Sequence, residues 1–209
     1  MSKRAENYVR NLYLDIHSPV SLTSPGKLYA YIKKHGKFMV SLAGIKSVLQ
    51  GIPTYSLHRK RNNKGKKLPA ICRSKTYLFF SDCFYMLQYK DYNKHSFVIV
   101  NVNCLTREIQ AYPLTDLTGK SVSEALDRYL RGHKFSHMYS DSGSEYRSRL
   151  TQIVLRKHGC RHIISTSGLK SFLAESGVKQ IKSRLIKYLY ENKTKKWEPV
   201  LNQIVKNYN

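Results

Sequence analysis

The sequence is short of acidic residues. Asp and Glu number 13 against 37 Lys and Arg, which gives the 209-residue chain a formal net charge of +24. A surplus of this size favours a polyanionic partner, and nucleic acid is the commonest one. Extended disorder is not expected, because 41% of the residues are hydrophobic and 16 are tyrosines. This composition is enough for one main folded domain with a small appendage.

Cysteine is also scarce, and its spacing excludes the usual cysteine frameworks. The four cysteines are scattered without a CxxC pair, so neither a zinc site nor a disulfide framework is indicated. His158, Cys160 and His162 do place three potential metal ligands within five residues. Structural zinc ligands usually come as spaced pairs, however, so we interpret Cys160 as a core residue of a strand. All four cysteines are expected to be reduced: Cys72, Cys83, Cys104 and Cys160.

Long apolar segments are missing as well. The first seven residues are polar, and no stretch approaches the length of a membrane span. We therefore expect a soluble, intracellular protein without a membrane partner.

Residues 1–57 have a helical pattern that predicts three short helices. Ser24-Pro25-Gly26 is typical of a helix start, and Lys34-His35-Gly36 is typical of a helix end. Such a module suits a helix-turn-helix-like DNA-binding unit, and it equally suits a small bundle that only caps the next domain.

A basic linker is predicted at residues 58–74. It could follow DNA phosphates or act as a nuclear-import signal, and a solvated charge run without a specific role is the alternative. Its candidate DNA-binding residues are Arg59, Lys60, Arg61, Lys64, Lys66 and Lys67.

Residues 75–209 have the predicted order βββαβαβαα, which implies a mixed α/β sheet flanked by helices. The predicted strands are Thr76 to Met86, Ser96 to Asn103, Glu108 to Leu114, a short strand ending at Asp141, and Arg161 to Ser165. The predicted helices are Ser121 to Arg131, Ser148 to His158, and Ser171 to Tyr208 with a break near Trp197-Glu198-Pro199.

Three acids stand in settings that point to chemistry. Asp82 lies in an aromatic, β-prone run where an unpaired charge is costly to bury. Asp141 ends a short apolar run beside a turn, and Glu175 begins a basic helix. Phosphoryl transfer with two metal ions uses carboxylates of this kind, because hard cations prefer oxygen ligands. Four further acids are interpreted as loop, exposed-helix or hydrogen-bonding charges outside the site: Asp91, Asp116, Asp127 and Glu145.

Several motifs in this order resemble the catalytic core of retroviral-type integrases, in the style of Maverick/Polinton and related retroelement integrases. Residues 140–146, Ser-Asp-Ser-Gly-Ser-Glu-Tyr, look like the acid-turn motif of that family. Residues 103–107, Asn-Cys-Leu-Thr-Arg, look like its turn after the second strand. The resemblance covers roughly Thr76 to Asn209 and implies a ribonuclease H-like fold with a five-stranded mixed sheet.

The resemblance also implies an activity. Asp82, Asp141 and Glu175 would be the D, D, E triad that binds two Mg²⁺ or Mn²⁺ ions. The enzyme would process and join the 3′ ends of a mobile element into target DNA, with double-stranded DNA as partner and the nucleus as location. Lys179 and Lys182 would contact the element's DNA ends, and a merely exposed basic helix face is the alternative.

Two departures from the family bear on this interpretation. Ser176-Gly177 follows Glu175, and glycine inside a helix costs about 1 kcal/mol relative to alanine, which predicts a weakened helix. Asn103 replaces the usual turn aspartate and is still expected to cap the turn. The alternatives are a catalytically weak or inactive domesticated integrase that binds DNA, and a nuclease that cuts without joining.

Self-assembly is a further expectation from the resemblance. Six residues of the terminal helices could form an apolar surface for a homo-oligomer, and packing within their own chain is the alternative: Tyr188, Leu189, Trp197, Leu201, Ile204 and Val205.

Overall fold

The computed structural model describes residues 1–57, 72, 74–165 and 172–209. The chain divides into two units. Among the described residues, one unit contains 1–57 and Lys182–Tyr208, and the other contains 72, 74–165, 172–181 and Asn209. In the part of the chain so described, no helix is both long enough and apolar enough to span a bilayer.

The first unit is helical. Its amino-terminal part has four helices where three are predicted: α1 (Lys3–Leu14), α2 (Pro25–His35), α3 (Leu42–Gln50) and α4 (Pro53–Leu57). The predicted helix start and end around α2 are confirmed, because Ser24 caps its first turn and Gly36 follows its last residue. Ser41 likewise accepts a hydrogen bond from the N–H of Gly44 and caps α3.

The carboxyl-terminal helices belong partly to this helical unit. These are α8 (Phe172–Glu191), which contributes to both units, and α9 (Glu198–Tyr208). The Lys187 ammonium donates to the Tyr13 hydroxyl, and the Asn207 amide donates to the Ile16 carbonyl oxygen. The structure therefore places Lys182–Tyr208 with the amino-terminal helices, whereas the sequence pattern assigns them to the second domain.

The apolar surface predicted for self-assembly is not exposed. Tyr188 packs against the core of the helical unit, and the other five residues are buried in their own chain. Trp197, at 0% exposure, is the largest of these side chains. The prediction of an assembly surface there is wrong, because burial within one chain removes these side chains from a partner.

The second unit contains a five-stranded mixed sheet, as predicted. Its strands are β1 (Leu78–Tyr85), β2 (Phe97–Asn103), β3 (Ile109–Leu114), β4 (His137–Ser140) and β5 (Arg161–Ile164), in the order β3-β2-β1-β4-β5. The three strands β1 to β3 pair antiparallel, and β4 pairs parallel with both β1 and β5. A 3₁₀ helix at Leu87–Tyr92, which the sequence pattern does not predict, connects β1 and β2.

The two faces of this sheet carry different helices. Alternating residues of β1 point to opposite faces, since side chains repeat every second residue along a strand. Phe79 packs in one core with residues of α5 (Gly119–Gly132) and α7 (Arg149–Lys157), and Cys160 lies in the same core as predicted. Phe80 packs on the other face, against Ala174 of α8. A short helix, α6 (Ser144–Arg147), precedes α7.

Candidate active site

Asp82 and Asp141 are carried by neighbouring parallel strands. Leu78 pairs with His137 in the β1–β4 ladder, and each acid lies four residues farther along its strand direction. Continuing the register sets Asp82 beside Asp141, and adjacent strands are about 4.8 Å apart. The two-residue period places Asp82 on the face of Phe80 and Asp141 on the face of Tyr139, whose rings are 5.0 Å apart on one side of the sheet.

The helix that carries Glu175, α8, packs on the same face of the sheet. Ala174, the residue before it, is fully buried against Phe80. Two residues later, Gly177 lies against the sheet: a Cβ built there would come 2.6 Å from Val102 Cγ2 and 3.3 Å from both Ile109 Cδ1 and Val100 Cγ1. Only glycine fits without a shift of β2 side chains, so Gly177 sets how closely α8 approaches the sheet.

This contact corrects the interpretation of Ser176-Gly177 as a weak point of the helix. Helix α8 continues through both residues, and the exposed Ser176 stands on its outer side. Close packing of this helix, which carries Glu175, against the sheet offsets the conformational cost of the glycine.

The three acids share one electrostatic environment. The pKa of Asp82 is raised to about 6, chiefly by burial and in smaller part by the negative charges of Asp141, Glu175 and Glu145. One backbone hydrogen bond opposes this rise, because the Cys83 N–H donates to Asp82 Oδ1 at 2.8 Å. Glu175 is also 4.0 Å from the Lys179 ammonium, one helical turn away. The charges of Asp141 and Glu175, the other two acids that the sequence singles out, therefore both act on Asp82.

Comparison with known proteins bears on this arrangement. No family model matches the sequence. An uncharacterized transposon-derived protein of Caenorhabditis elegans is 26% identical over 122 residues, which cover 57% of this chain and 43% of that protein. The aligned segment thus spans less than half the length of that relative.

A solved structure matches the fold. A chain of the simian T-cell lymphotropic virus intasome, determined by cryo-electron microscopy in complex with the PP2A regulatory subunit B56 gamma, superposes with a TM-score of 0.58. The identity is 20%, and the match covers 87% of this chain and 67% of that chain. This chain has an integrase-like fold. At such low identity the likeness concerns the fold alone.

In this integrase-like fold, the strand that carries Asp82 is supported from the opposite face. Ser81 and Cys83 flank Asp82 and point away from it, toward the buried Tyr146. The Tyr146 hydroxyl lies 3.1 Å from Ser81 Oγ and 3.3 Å from Cys83 Sγ. One buried hydroxyl thus fixes both neighbours of the acid. The motif of residues 140–146 therefore supplies a structural residue as well as Asp141, a role that the sequence pattern does not reveal.

The turn after Asp141 is held by a second group of hydrogen bonds. The Gly143 N–H donates to Asp141 Oδ1 at 3.1 Å, and the Ser140 hydroxyl donates to the Asp141 carbonyl oxygen at 2.8 Å. Ser140 Oγ also lies 2.9 Å from His162 Nε2, and Gln152 Nε2 lies 2.9 Å from His162 Nδ1. Because the amide nitrogen donates, this pattern assigns the imidazole proton to Nε2. Burial lowers the pKa of His162, against the charge of Asp141.

Asn103 caps the turn between β2 and β3, as predicted. Its side-chain oxygen accepts the N–H groups of Leu105 and Thr106 at 2.9 and 3.1 Å. The Asn103 amide therefore makes the hydrogen bonds that an aspartate would make in this turn, without adding a negative charge.

The candidate DNA-binding residues fall in different places. Lys179 is exposed in the second unit and Lys182 is half-buried in the first, although both belong to α8. Six others lie outside the described residues: Arg59, Lys60, Arg61, Lys64, Lys66 and Lys67.

Two acids behave differently from their interpretation in the sequence. The charge of Glu145 acts on Asp82, so this residue belongs to the electrostatic environment of the three acids. Asp127 is not an exposed helix charge: it is 8% exposed and accepts hydrogen bonds from Arg131, Lys157 and His158. Of these three partners, the sequence pattern could have predicted only Arg131, because it lies four residues from Asp127 on the same helix.

The chemistry of the three acids fits divalent cations. Carboxylate oxygens are the ligands that Mg²⁺ and Mn²⁺ prefer, and a cation would offset the negative charges that act on Asp82. Across residues 1–57, 72, 74–165 and 172–209, no group of three or more His, Cys, Asp or Glu side chains has an arrangement that could hold a metal ion. The three acids therefore lie toward one face of the sheet and interact electrostatically, but they are not arranged as a set of metal ligands.

Proposed function

We propose that this chain is an integrase- or transposase-like enzyme that processes and joins DNA 3′ ends of a mobile element by metal-dependent phosphoryl transfer. The observation that supports the proposal is that the charges of Asp141 and Glu175 act on the buried Asp82 in a chain with an integrase-like fold. The similarity to a transposon-derived protein supports the same class of function.

Each acid has a separate part in the proposed mechanism. Asp82 and Asp141 would hold cations from adjacent strands, and Glu175 would complete the site from α8. Bound Mg²⁺ or Mn²⁺, two per site, would supply Lewis-acid stabilisation of the attacking and leaving oxygens. The nucleophile would be water in end processing and a DNA 3′-hydroxyl in joining. No covalent protein intermediate is required.

The protein's own residues would do the positioning. Tyr146 holds Ser81 and Cys83, so the Asp82 carboxylate would keep its direction when the surrounding charge changes. Gly177 would hold Glu175 close to the sheet. Lys179, beside Glu175, would approach DNA phosphates, as would Lys182 and the basic residues of the linker. Double-stranded DNA, a homo-oligomeric assembly and a nuclear location belong to this proposal.

A strand-cutting and joining assay tests the proposal. Wild type should nick supercoiled plasmid and join a duplex oligonucleotide with a recessed 3′-hydroxyl to it in Mg²⁺ or Mn²⁺. Asp141→Asn should abolish both products while keeping DNA binding. Glu124→Gln, an exposed acid of α5, is the matched control and should keep full activity. Equal product yields from wild type and Asp141→Asn would exclude these acids as the catalytic site.

A DNA-binding protein without catalysis is the second candidate. The observation that favours it is that the described acids are not arranged as metal ligands. The same assay separates the candidates, because wild type would then bind plasmid without cutting or joining in either cation. Cutting without joining would instead indicate a nuclease of the same fold.

A further inference from the structure

A second charged feature of the sheet unit lies away from the three acids. An open cleft of about 760 Å³ is lined by residues from the end of α5, the segment before β4 and the end of α7. Its polar lining includes Arg131, His133, Lys134, Lys157 and His158.

The cleft lies at the amino-terminal ends of β1 and β4, whereas Asp141 directly follows the carboxyl-terminal end of β4. Thr76 and Ser136, which also line it, precede β1 and β4, where Leu78 pairs with His137. Asp141 follows Ser136 by five residues along the strand direction, which corresponds to roughly 15 Å. The acids and the cleft therefore cannot contact the same phosphate group.

Asp127 organises the basic wall of this cleft. Its Oδ1 accepts from the Lys157 ammonium at 3.0 Å and lies 2.8 Å from His158 Nε2. Its Oδ2 accepts from Arg131 Nε at 2.9 Å and also contacts Nη2 of the same guanidinium. These hydrogen bonds hold the pKa of Asp127 well below its usual range, so the carboxylate stays ionised.

Positive charge remains after this pairing. Arg131, Lys134 and Lys157 are three permanent cations, and Asp127 neutralises one of them, which leaves two positive charges. The side chains of Arg131 and Lys157 are 72% and 60% exposed, whereas that of Asp127 is 11% exposed. The acid therefore holds the cations from behind and leaves their outer sides open to the cleft. Fixing long side chains in advance reduces the entropy lost when a ligand binds.

We propose that this cleft binds the phosphate backbone of nucleic acid at a point separate from the three acids. The choice of nucleic acid rests on the proposed function, and the charge of the cleft itself is an independent observation. Arginine matches phosphate geometry with paired N–H donors, and lysine adds a point charge. A chain with a net charge of +24 also favours a polyanionic partner, and nucleic acid is the commonest one.

The test is DNA binding by a variant of the two cleft lysines. Lys134→Gln with Lys157→Gln removes two charges and keeps Asp127 paired with Arg131 and His158. The matched control is Lys94→Gln with Lys120→Gln, two exposed lysines of the same unit outside the cleft. Fluorescence anisotropy with a 20-base-pair duplex would be measured in EDTA over a series of salt concentrations.

The cleft variant should bind the duplex about ten-fold more weakly at moderate salt, and its plot of log K against log salt should flatten by between one and two units, since each phosphate contact contributes about 0.9. The control should change both values much less. Lys134→Glu is a second variant, at an exposed position, and it too should weaken duplex binding more than the control does. Equal losses in the cleft variant and the control would overturn the proposal.

Two features of the test separate this proposal from other outcomes. Duplex binding in EDTA does not depend on cutting or joining, so a failure of the catalytic assay leaves the cleft proposal standing. A polyglutamate peptide is the probe for an acidic protein partner. Loss of peptide binding in the cleft variant, with duplex binding unchanged, would overturn the nucleic-acid assignment in favour of such a partner.

Discussion

Asp82 and Asp141 stand at the same level of two neighbouring parallel strands, each four residues beyond the pair formed by Leu78 and His137. Two carboxylates set side by side repel each other, and burial of the first adds a larger penalty. Together they raise the pKa of Asp82 to about 6, with the charges of Glu175 and Glu145 contributing. Charge density of this kind, held on a rigid sheet, is the basis of the proposed cation site.

The raised pKa of Asp82 predicts a pH-dependent cost in stability. Above pH 6 the carboxylate is ionised in both states and penalised only when folded; below pH 4 it is protonated in both. Asp82→Asn should therefore raise the free energy of unfolding at pH 7.5 by about 1–3 kcal/mol, and this gain should vanish near pH 4. Urea denaturation at the two pH values measures it. A gain of the same size at both would contradict the raised pKa.

Substitution of Asp127 should change the free energy of unfolding in the opposite direction to substitution of Asp82. Hydrogen bonds from His158, Arg131 and Lys157 lower its pKa, so its contribution to stability is present above pH 4 and is lost as the pH falls. Asp127→Asn should destabilise the protein at pH 7.5, and the difference from wild type should shrink in acid. Asp116→Asn is a useful comparison, because that exposed acid accepts hydrogen bonds from Thr118 in its own turn and from Ser121 at the start of α5. A deficit for Asp127→Asn that persists unchanged at pH 2.5 would contradict this account.

Gly177 predicts a packing defect on substitution. Alanine would gain about 1 kcal/mol in helix propensity, and its Cβ would meet Val102 Cγ2 at 2.6 Å. Overpacking of this kind typically costs about 1–3 kcal/mol, so Gly177→Ala should lower stability and reduce catalysis by displacing Glu175. Thermal denaturation and the joining assay measure the two effects. Adding Val102→Ala to Gly177→Ala should restore part of the lost stability and part of the lost joining activity.

The matched control for that experiment is Ser176→Ala. Its side chain is exposed on the same helix, so it should leave stability and joining close to wild type. A Gly177→Ala protein that is as stable and active as Ser176→Ala would show that the helix has room to move.

Tyr146 should be energetically coupled to Ser81. Tyr146→Phe removes a fully buried hydroxyl that lies 3.1 Å from Ser81 Oγ, and the loss of such a bond costs about 1 kcal/mol. A double-mutant cycle with Ser81→Ala should give a coupling energy of at least about 0.5 kcal/mol in urea denaturation. Strict additivity of the two substitutions would mean that the hydroxyls do not interact.

Local patterns predict most of the fold. Alternation of apolar residues gives the strands, and capping residues such as Ser24 mark helix limits, because both signals lie within a few residues of each other. The placement of Asp82 in an aromatic strand and of Asp141 at a strand end is readable for the same reason. The sheet order and the integrase-like fold agree with these patterns.

Long-range contacts account for what the patterns miss. The sequence predicts that Gly177 weakens its helix, because the side chains that pack against it are about 70 residues away in sequence. These side chains belong to Val100, Val102 and Ile109. The sequence pattern suggests an exposed Asp127, because two of its hydrogen-bond partners, Lys157 and His158, are 30 and 31 residues away. The residues Lys182–Tyr208 are assigned to the sheet domain by sequence order, although they pack with helices near the amino terminus.

Cation binding by the three acids is the most direct test of the proposed site. Isothermal titration of the protein with Mn²⁺ should show binding that is weakened at least ten-fold by each of Asp82→Asn, Asp141→Asn and Glu175→Gln, and left unchanged by Glu124→Gln. Mn²⁺ should also stabilise wild type against heat and fail to stabilise the three variants. Equal Mn²⁺ affinity in wild type and in the variant lacking all three carboxylates would contradict the account.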